Sequence, residues 1–236
     1  MLRNSPLPMP QSLPFVSSRD RILAWLSDHV PPSRVQHILG VEQMAAQLAH
    51  HYGLDPIKAA YAGLMHDLAK YFKSSLLLDK AKAEGLELDS ILETTPHLLH
   101  ADVSAIVARD EFAVYDREIL DAIAHHTLGQ PGMSPLSCVV FIADCLEPSR
   151  GDTPELQTLR ALSYENLYTA LWHTCDYSVK YLLDKRVLIH PRTILTRNWA
   201  LEKSKAFGKG PGSGKGETKL ISHCPITNPQ SRFPNP

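Results

Sequence analysis

Cysteine is scarce in this chain, and none of it is paired as a ligand set. Four cysteines occur in 236 residues (Cys138, Cys145, Cys175 and Cys224), with no Cys-x-x-Cys among them. That excludes a thiolate zinc ribbon and a disulfide framework, and points to free thiols in a reducing cytoplasm. Cys138 and Cys145 are seven residues apart, so they share a helix face. No apolar run approaches the ~20 residues a membrane span requires. The N-terminus carries only Arg3 ahead of several prolines and has no apolar core, so no signal peptide is read there. Charge of one sign is also missing. The formal net charge is −1, which supplies no basic field for nucleic acid or anionic lipid. No internal repeat is visible.

The chain is long enough for one domain with a substantial core. Residues 1–16 are rich in Pro and Ser and read as a disordered arm, 17–203 as the domain, and 204–236 as a flexible Gly/Pro-rich tail. The tail holds Gly-Ser-Gly-Lys-Gly (212–216), which is not a phosphate-binding loop. Lys209 stands where its first glycine belongs, Gly216 stands where Ser or Thr must follow the lysine, and no strand precedes it.

Between the tails the pattern is helix after helix. Apolar residues recur at helical spacing from Pro31-Pro32-Ser33 to the stop at Gly53. Asp55-Pro56 is an N-cap with proline at the first helical position, opening a helix expected to reach about Lys70. Further helices are expected from Ser74 to Gly85, Pro96 to Phe112, Arg117 to His126 (capped by Asp116), Pro135 to Leu146, a short one from Thr153-Pro154, then Ser163–Lys185 and Pro191–Ala206. The expected fold class is all-α, an irregular helical bundle.

On these helices lie His37, His66, Asp67, His100, His126 and Asp144. A lone buried histidine is ordinarily a hydrogen-bonded core residue, and His50, His51, His173, His190 and His223 are read as that or as simply surface-exposed. The carboxylates are different. Asp144 sits in Val-Val-Phe-Ile-Ala-Asp-Cys-Leu and Asp67 between His66 and Leu68, where an uncompensated charge is costly to bury. A shared metal among imidazoles and carboxylates relieves both, and this donor set suits Fe, Mn, Co, Ni or Zn. Such an ion acidifies water and polarises phosphoryl oxygens. Arg34, three residues before His37, and Lys70, four after His66, fall on the faces of those ligands, and Arg150 follows the helix end at Pro148. Guanidinium groups match phosphate oxygens.

The order His … His-Asp … Asp is that of HD-domain metallophosphohydrolases. Arg-Val-Gln-His-Ile-Leu-Gly-Val (34–41), His-Asp-Leu-Ala-Lys (66–70), Leu-His-Ala-Asp-Val-Ser-Ala (99–105), His-His-Thr-Leu-Gly-Gln-Pro-Gly-Met (125–133), Ile-Ala-Asp-Cys-Leu-Glu-Pro-Ser-Arg (142–150) and Ile-Leu-Thr-Arg-Asn-Trp (194–199) make the match narrower. Over about residues 18–202 the chain closely resembles the YqeK-type HD proteins, the bacterial symmetrical diadenosine tetraphosphate hydrolases.

The resemblance implies an iron-dependent cytoplasmic enzyme that cuts diadenosine tetraphosphate into two ADP by attack of metal-bound hydroxide. One or two ions are implied, with Mn, Co or Ni as substitutes. It implies iron on His37, His66, Asp67 and Asp144, and catalytic roles for Asp67, His100 and His126. His100 and His126 are expected at the opposite wall of the pocket, facing phosphates or a second metal and serving as a proton shuttle. The substrate-binding set it implies is Arg34, Asp67, Leu68, Ala69, Lys70, His100, His126, Thr127, Asp144 and Arg150. Thr127 has an equally good alternative role in a turn, and His125 is read as structural. The implied partners are the dinucleoside polyphosphate and ADP, with a homodimer as an open oligomeric state and neither nucleic acid nor membrane. Two other functions stay open: an HD phosphohydrolase of nucleoside monophosphates or guanosine polyphosphates, and a catalytically idle nucleotide sensor. His97 with Thr94-Thr95, and His190-Pro191-Arg192, depart from the family pattern and bear on base or chain-length preference.

Overall fold

The computed structural model describes residues 15–207; the remainder of the expected arm and tail, with Cys224, His223 and the glycine-rich stretch, lies outside the described residues. Eleven α-helices follow one another: α1 (Phe15–His29), α2 (Pro32–His51), α3 (Pro56–Met65), α4 (Ser74–Ala83), α5 (Ser90–Thr94), α6 (His100–Phe112), α7 (Arg117–His125), α8 (Pro135–Leu146), α9 (Pro154–Ser163), α10 (Leu167–Lys185) and α11 (Pro191–Phe207). Short 3-10 turns at Pro96–Leu99 and Pro148–Arg150 complete the path, and there is no strand among the described residues. The bundle is all-α, as the periodicity requires. No helix among the described residues is long and apolar enough to cross a membrane.

The core is organised around α8. Its sequence is apolar on every side, so it must be covered on every side, and α2, α3, α7 and α10 pack around it. Phe141, Val139, Val140 and Ile142 are all buried there, each contributing roughly 1.5–3 kcal/mol relative to exposure. Three of these are β-branched. Their weak intrinsic helix preference is small beside that burial. Ser134 caps the helix, its Oγ accepting from Ser137 N at 3.1 Å, and Pro135 occupies the first position. Asp144 is the only charged residue of the helix, and Glu147 follows its end.

The caps read from sequence are present: Asp55 accepts from Ile57 N at 2.8 Å and Asp116 from Glu118 N at 2.9 Å. Gly53 ends the α2 segment at φ +66°. Other boundaries differ. α3 stops at Met65, not Lys70, because the chain tightens into i→i+3 hydrogen bonds: Leu68 N to Met65 O, Lys70 N to Asp67 O and Phe72 N to Ala69 O, at 3.1–3.3 Å. The expected helix from Pro96 begins as a 3-10 turn and becomes α only at His100. α10 starts at Leu167, capped by Asn166, while Ser163 closes α9. The sequence pattern also leaves α1 and α5 unread. α1 buries Ile22 and Leu26 and is clasped to α2 by Arg19, whose Nε and Nη2 donate to Glu42 at 2.7 and 2.9 Å. Cys138, Cys145 and Cys175 are free thiols.

Candidate metal and phosphate site

Four imidazoles and two carboxylates meet where α2, α6, the ends of α3 and α7, and the end of α8 converge. His37 is on α2, His66 and Asp67 lie in the tight turns after α3, His100 opens α6, His126 follows α7 and Asp144 is near the end of α8. His66 is fully buried, and His37, Asp67, His100 and His126 are nearly so.

The rings are aimed by hydrogen bonds on their other side. His66 Nδ1 donates to Gly63 O at 2.7 Å, His100 Nδ1 to His97 O at 2.5 Å and His126 Nδ1 to Ile123 O at 2.7 Å. A carbonyl oxygen only accepts, so each Nδ1 carries a proton and each Nε2 is turned into the cluster. His37 Nδ1 faces a carboxylate instead, Glu147 Oε1 at 2.8 Å.

The Nε2 atoms converge on the carboxylates. His37 Nε2 is 3.0 Å from Asp144 Oδ1 and His66 Nε2 is 3.7 Å from it; His66 Nε2 is 3.3 Å from Asp67 Oδ2. His100 and His126 lie 3.3 and 3.6 Å from Asp67 Oδ1 and 3.1 Å from each other, Nε2 to Nε2. They adjoin His37, His66 and Asp144 through Asp67, whose Oδ1 faces this pair while its Oδ2 faces His66.

Three overlapping donor sets have ligand atoms within 4.8 Å of one another: His37–His66–Asp67, His66–His126–Asp144 and Asp67–His100–His126. His66 Nε2 and Asp67 Oδ1 are buried with no hydrogen-bond partner. Converging electron pairs that nothing else satisfies are a cation's coordination sphere, and nitrogen with carboxylate oxygen suits a divalent transition metal. The donors present fit such an ion.

Cations ring the cluster. Arg34 Nη1 donates to Asp67 Oδ2 at 3.0 Å, and Arg150 Nη2 donates to Asp144 Oδ1 at 2.5 Å while its Nε holds Asp144 O at 2.7 Å. Lys70 Nζ is 3.4 Å from His100 Nε2, and Thr127 Oγ1 is 3.1 Å from the same atom. Burial opposes ionisation of Asp67, yet His66, Lys70 and the close approach of His100 and His126 outweigh it and hold the carboxyl well below its usual range. Asp144 is held low against burial by Arg150 and His37. His100 is pushed down to about 3 by burial and the Lys70 ammonium, which keeps it neutral and able to ligate.

The structure thus brings His37, His66, Asp67, His100, His126, Asp144, Arg34, Lys70, Thr127 and Arg150 to one place. Leu68 and Ala69, also in the expected substrate-binding set, have side chains buried in the core, and Ala69 N donates to Ser104 Oγ at 3.0 Å. His125 stands apart, its Nδ1 3.4 Å from Ser137 Oγ. Sequence reasoning missed Glu147, 1 % exposed, and Gly40 beside it. The signal was a second acid three residues after Asp144 on an apolar helix.

This helical frame and donor set define the HD class, and the HD domain model matches residues 34–149. The symmetrical bis(5'-nucleosyl)-tetraphosphatase of Bacillus subtilis (strain 168) is 34% identical over 187 residues, 79% of this chain and 100% of that protein. The protein of the same description from Staphylococcus aureus (strain NCTC 8325 / PS 47) is 29% identical, over 73% of this chain and 89% of its own. A crystal structure of a Clostridium acetobutylicum protein, described as an HD superfamily hydrolase involved in NAD metabolism, matches with TM-score 0.74 and 34% identity over 78% of this chain and 97% of that one. The chain belongs to the YqeK-type family of HD-domain hydrolases, the symmetrical bis(5'-nucleosyl)-tetraphosphatases.

Proposed function

We propose that this protein hydrolyses diadenosine tetraphosphate to two ADP in the cytoplasm, using iron held by His37, His66, Asp67 and Asp144. The observation that carries the reading is the pairing of a converging, unsatisfied donor cluster with three cations at its rim, in a chain that spans the full length of a relative with that activity in its name. When bound, a divalent metal supplies acidified water and a Lewis acid for a phosphoryl oxygen.

The protein's own groups account for the rest. Arg34 and Arg150 pair with Asp67 and Asp144. A metal held by those carboxylates would leave the two guanidiniums to the polyphosphate, where planar donors match paired oxygens. The Lys70 ammonium and Thr127 hydroxyl stand beside His100 to receive a neighbouring phosphate. His100 and His126, in contact through their Nε2 atoms, are placed to carry a proton between water and the leaving ADP oxygen. A P–O bond to water forms as the central bridging P–O bond breaks.

The test is product analysis in oxygen-18 water with anaerobically iron-loaded protein. ADP as the sole nucleotide product, with one ADP of each pair labelled at its terminal phosphate, is expected. Equal AMP and ATP would overturn the symmetrical register. Turnover of nucleoside monophosphates or guanosine polyphosphates, with none of the dinucleotide, would replace the substrate.

A further inference from the structure

His37 is oriented differently from the other three site histidines, and the difference is a charge. His66, His100 and His126 donate their Nδ1 protons to main-chain carbonyls, whereas His37 donates to the Glu147 carboxylate at 2.8 Å. Glu147 is 1 % exposed. Its other partners are Ser149 N, which donates to Oε2 at 2.7 Å, and Ser149 Oγ, which donates to Oε1. Three donors on one buried carboxylate keep it ionised where burial alone would make it costly. A full negative charge behind an imidazole increases electron density on its far nitrogen, which here is the atom facing Asp144 at 3.0 Å.

The same carboxylate caps the Pro148–Arg150 turn. That turn delivers the Arg150 guanidinium to Asp144. One side chain therefore holds a metal donor on α2 and the phosphate-directed cation after α8.

Gly40 completes the arrangement. It lies within α2, where its backbone is ordinary helix and glycine costs roughly 1 kcal/mol relative to alanine. A Cβ there would fall 2.4 Å from Glu147 Oε2 and 3.1 Å from its Cδ. The glycine is needed for the space the carboxylate fills.

We propose that Glu147 is a positioning residue that sets the metal affinity of His37 and the reach of Arg150, and that Gly40 exists to admit it. The inference rests on the metal reading above and extends it to residues outside the donor set. The experiment is titration of the metal-free full chain with Co2+ alone, followed by visible absorbance and by competition with a chelator. Glu147→Gln keeps the shape and removes the charge. It should retain the helical circular-dichroism signal and weaken Co2+ binding by about 10–100-fold. Gly40→Ala should weaken it in the same direction with Glu147 still present. The double variant should bind no worse than the weaker single one, because both act through one contact.

A folded Glu147→Gln protein with wild-type Co2+ affinity and an unchanged absorption band would overturn the proposal, as would fully additive losses in the double variant. If Glu147→Gln does not fold, Gly40→Ala decides: wild-type affinity there overturns it and weakened affinity sustains it. Wild-type protein that binds no Co2+ at all would sink the reading of the whole site, a result distinct from equal binding by wild type and variant.

Discussion

Replacing Arg150 with alanine should separate metal binding from substrate binding, and the structure gives the size of the effect. Arg150 holds Asp144 by Nη2 at 2.5 Å and by Nε to the main-chain oxygen at 2.7 Å. Breaking one partner of a buried pair costs about 3–5 kcal/mol. Arg150 and Asp144 side chains retain 21% and 16% exposure, so solvent relieves part of this and about 3 kcal/mol is the working figure. For a domain of this size each kcal/mol shifts Tm by roughly 2–4 °C, giving a loss of about 6–12 °C in EDTA. A divalent metal then supplies the missing positive charge to Asp144. Binding at 100 Kd returns about 2.7 kcal/mol, and the wild-type protein gains less because its arginine must first be displaced. The gap between variant and wild type should therefore shrink on loading with Mn2+, metal affinity should hold or rise, and ADP affinity should fall. Differential scanning calorimetry in EDTA and in Mn2+, with ADP titration, reads all three. An equal Tm loss in both conditions, or loss of Mn2+ binding, would refute the idea that Arg150 stands in for a cation.

Three further outcomes follow from the same geometry. His66→Ala or Asp67→Ala should abolish bound metal and turnover yet leave the far-ultraviolet signal largely intact, measured by metal analysis of the purified variants. Lys70→Ala should keep the metal and weaken ADP binding by roughly 1.5–3 kcal/mol, the worth of a charge-assisted contact; unchanged ADP affinity would make Lys70 a bystander. Stability of the metal-free protein should fall as pH drops through the window from 6.5 towards 3, because His100, held at about 3, binds its proton only in the unfolded chain there. Asp67 and Asp144, held low, add their loss at more acidic pH, while His37, held above its ordinary value, contributes with opposite sign as pH rises. Urea unfolding at pH 7.5 and 4.5 should show a smaller drop for His100→Asn than for wild type, and parallel drops would count against the assignment.

The candidate donor cluster was legible because aspartate in an apolar helix has few explanations, and the helix starts because Asp55, Asp116 and Pro135 mark them through local chemistry. The tightening at 66–70 was not, since Leu68 and Ala69 are as apolar as a continuing helix would be and only the i→i+3 bonds distinguish the two. α1 was hidden by the Pro/Ser-rich segment before it and by its few fully buried residues, Ile22 and Leu26. Glu147 reads in sequence as a polar helix end, and its partner His37 is 110 residues away, a separation that no local pattern spans. Nor did the sequence reveal that Arg34 rests on Asp67, because the two are 33 residues apart and meet only through the packing of α2 on α3.

The steering of His66, His100 and His126 by oxygens three residues behind them bears on how this site tolerates sequence drift. A main-chain carbonyl is present whatever side chain its residue carries. Position 97 is therefore free to exchange its side chain without turning the ring it aims, and position 123 is held by the packing of Ile123 in the core and not by the ring, provided the local backbone path is kept. The same holds for an engineer recasting the walls for another nucleotide: three of the four imidazoles are indexed to the backbone and travel with it. Vulnerability is concentrated at the fourth, whose acceptor a single codon change can delete.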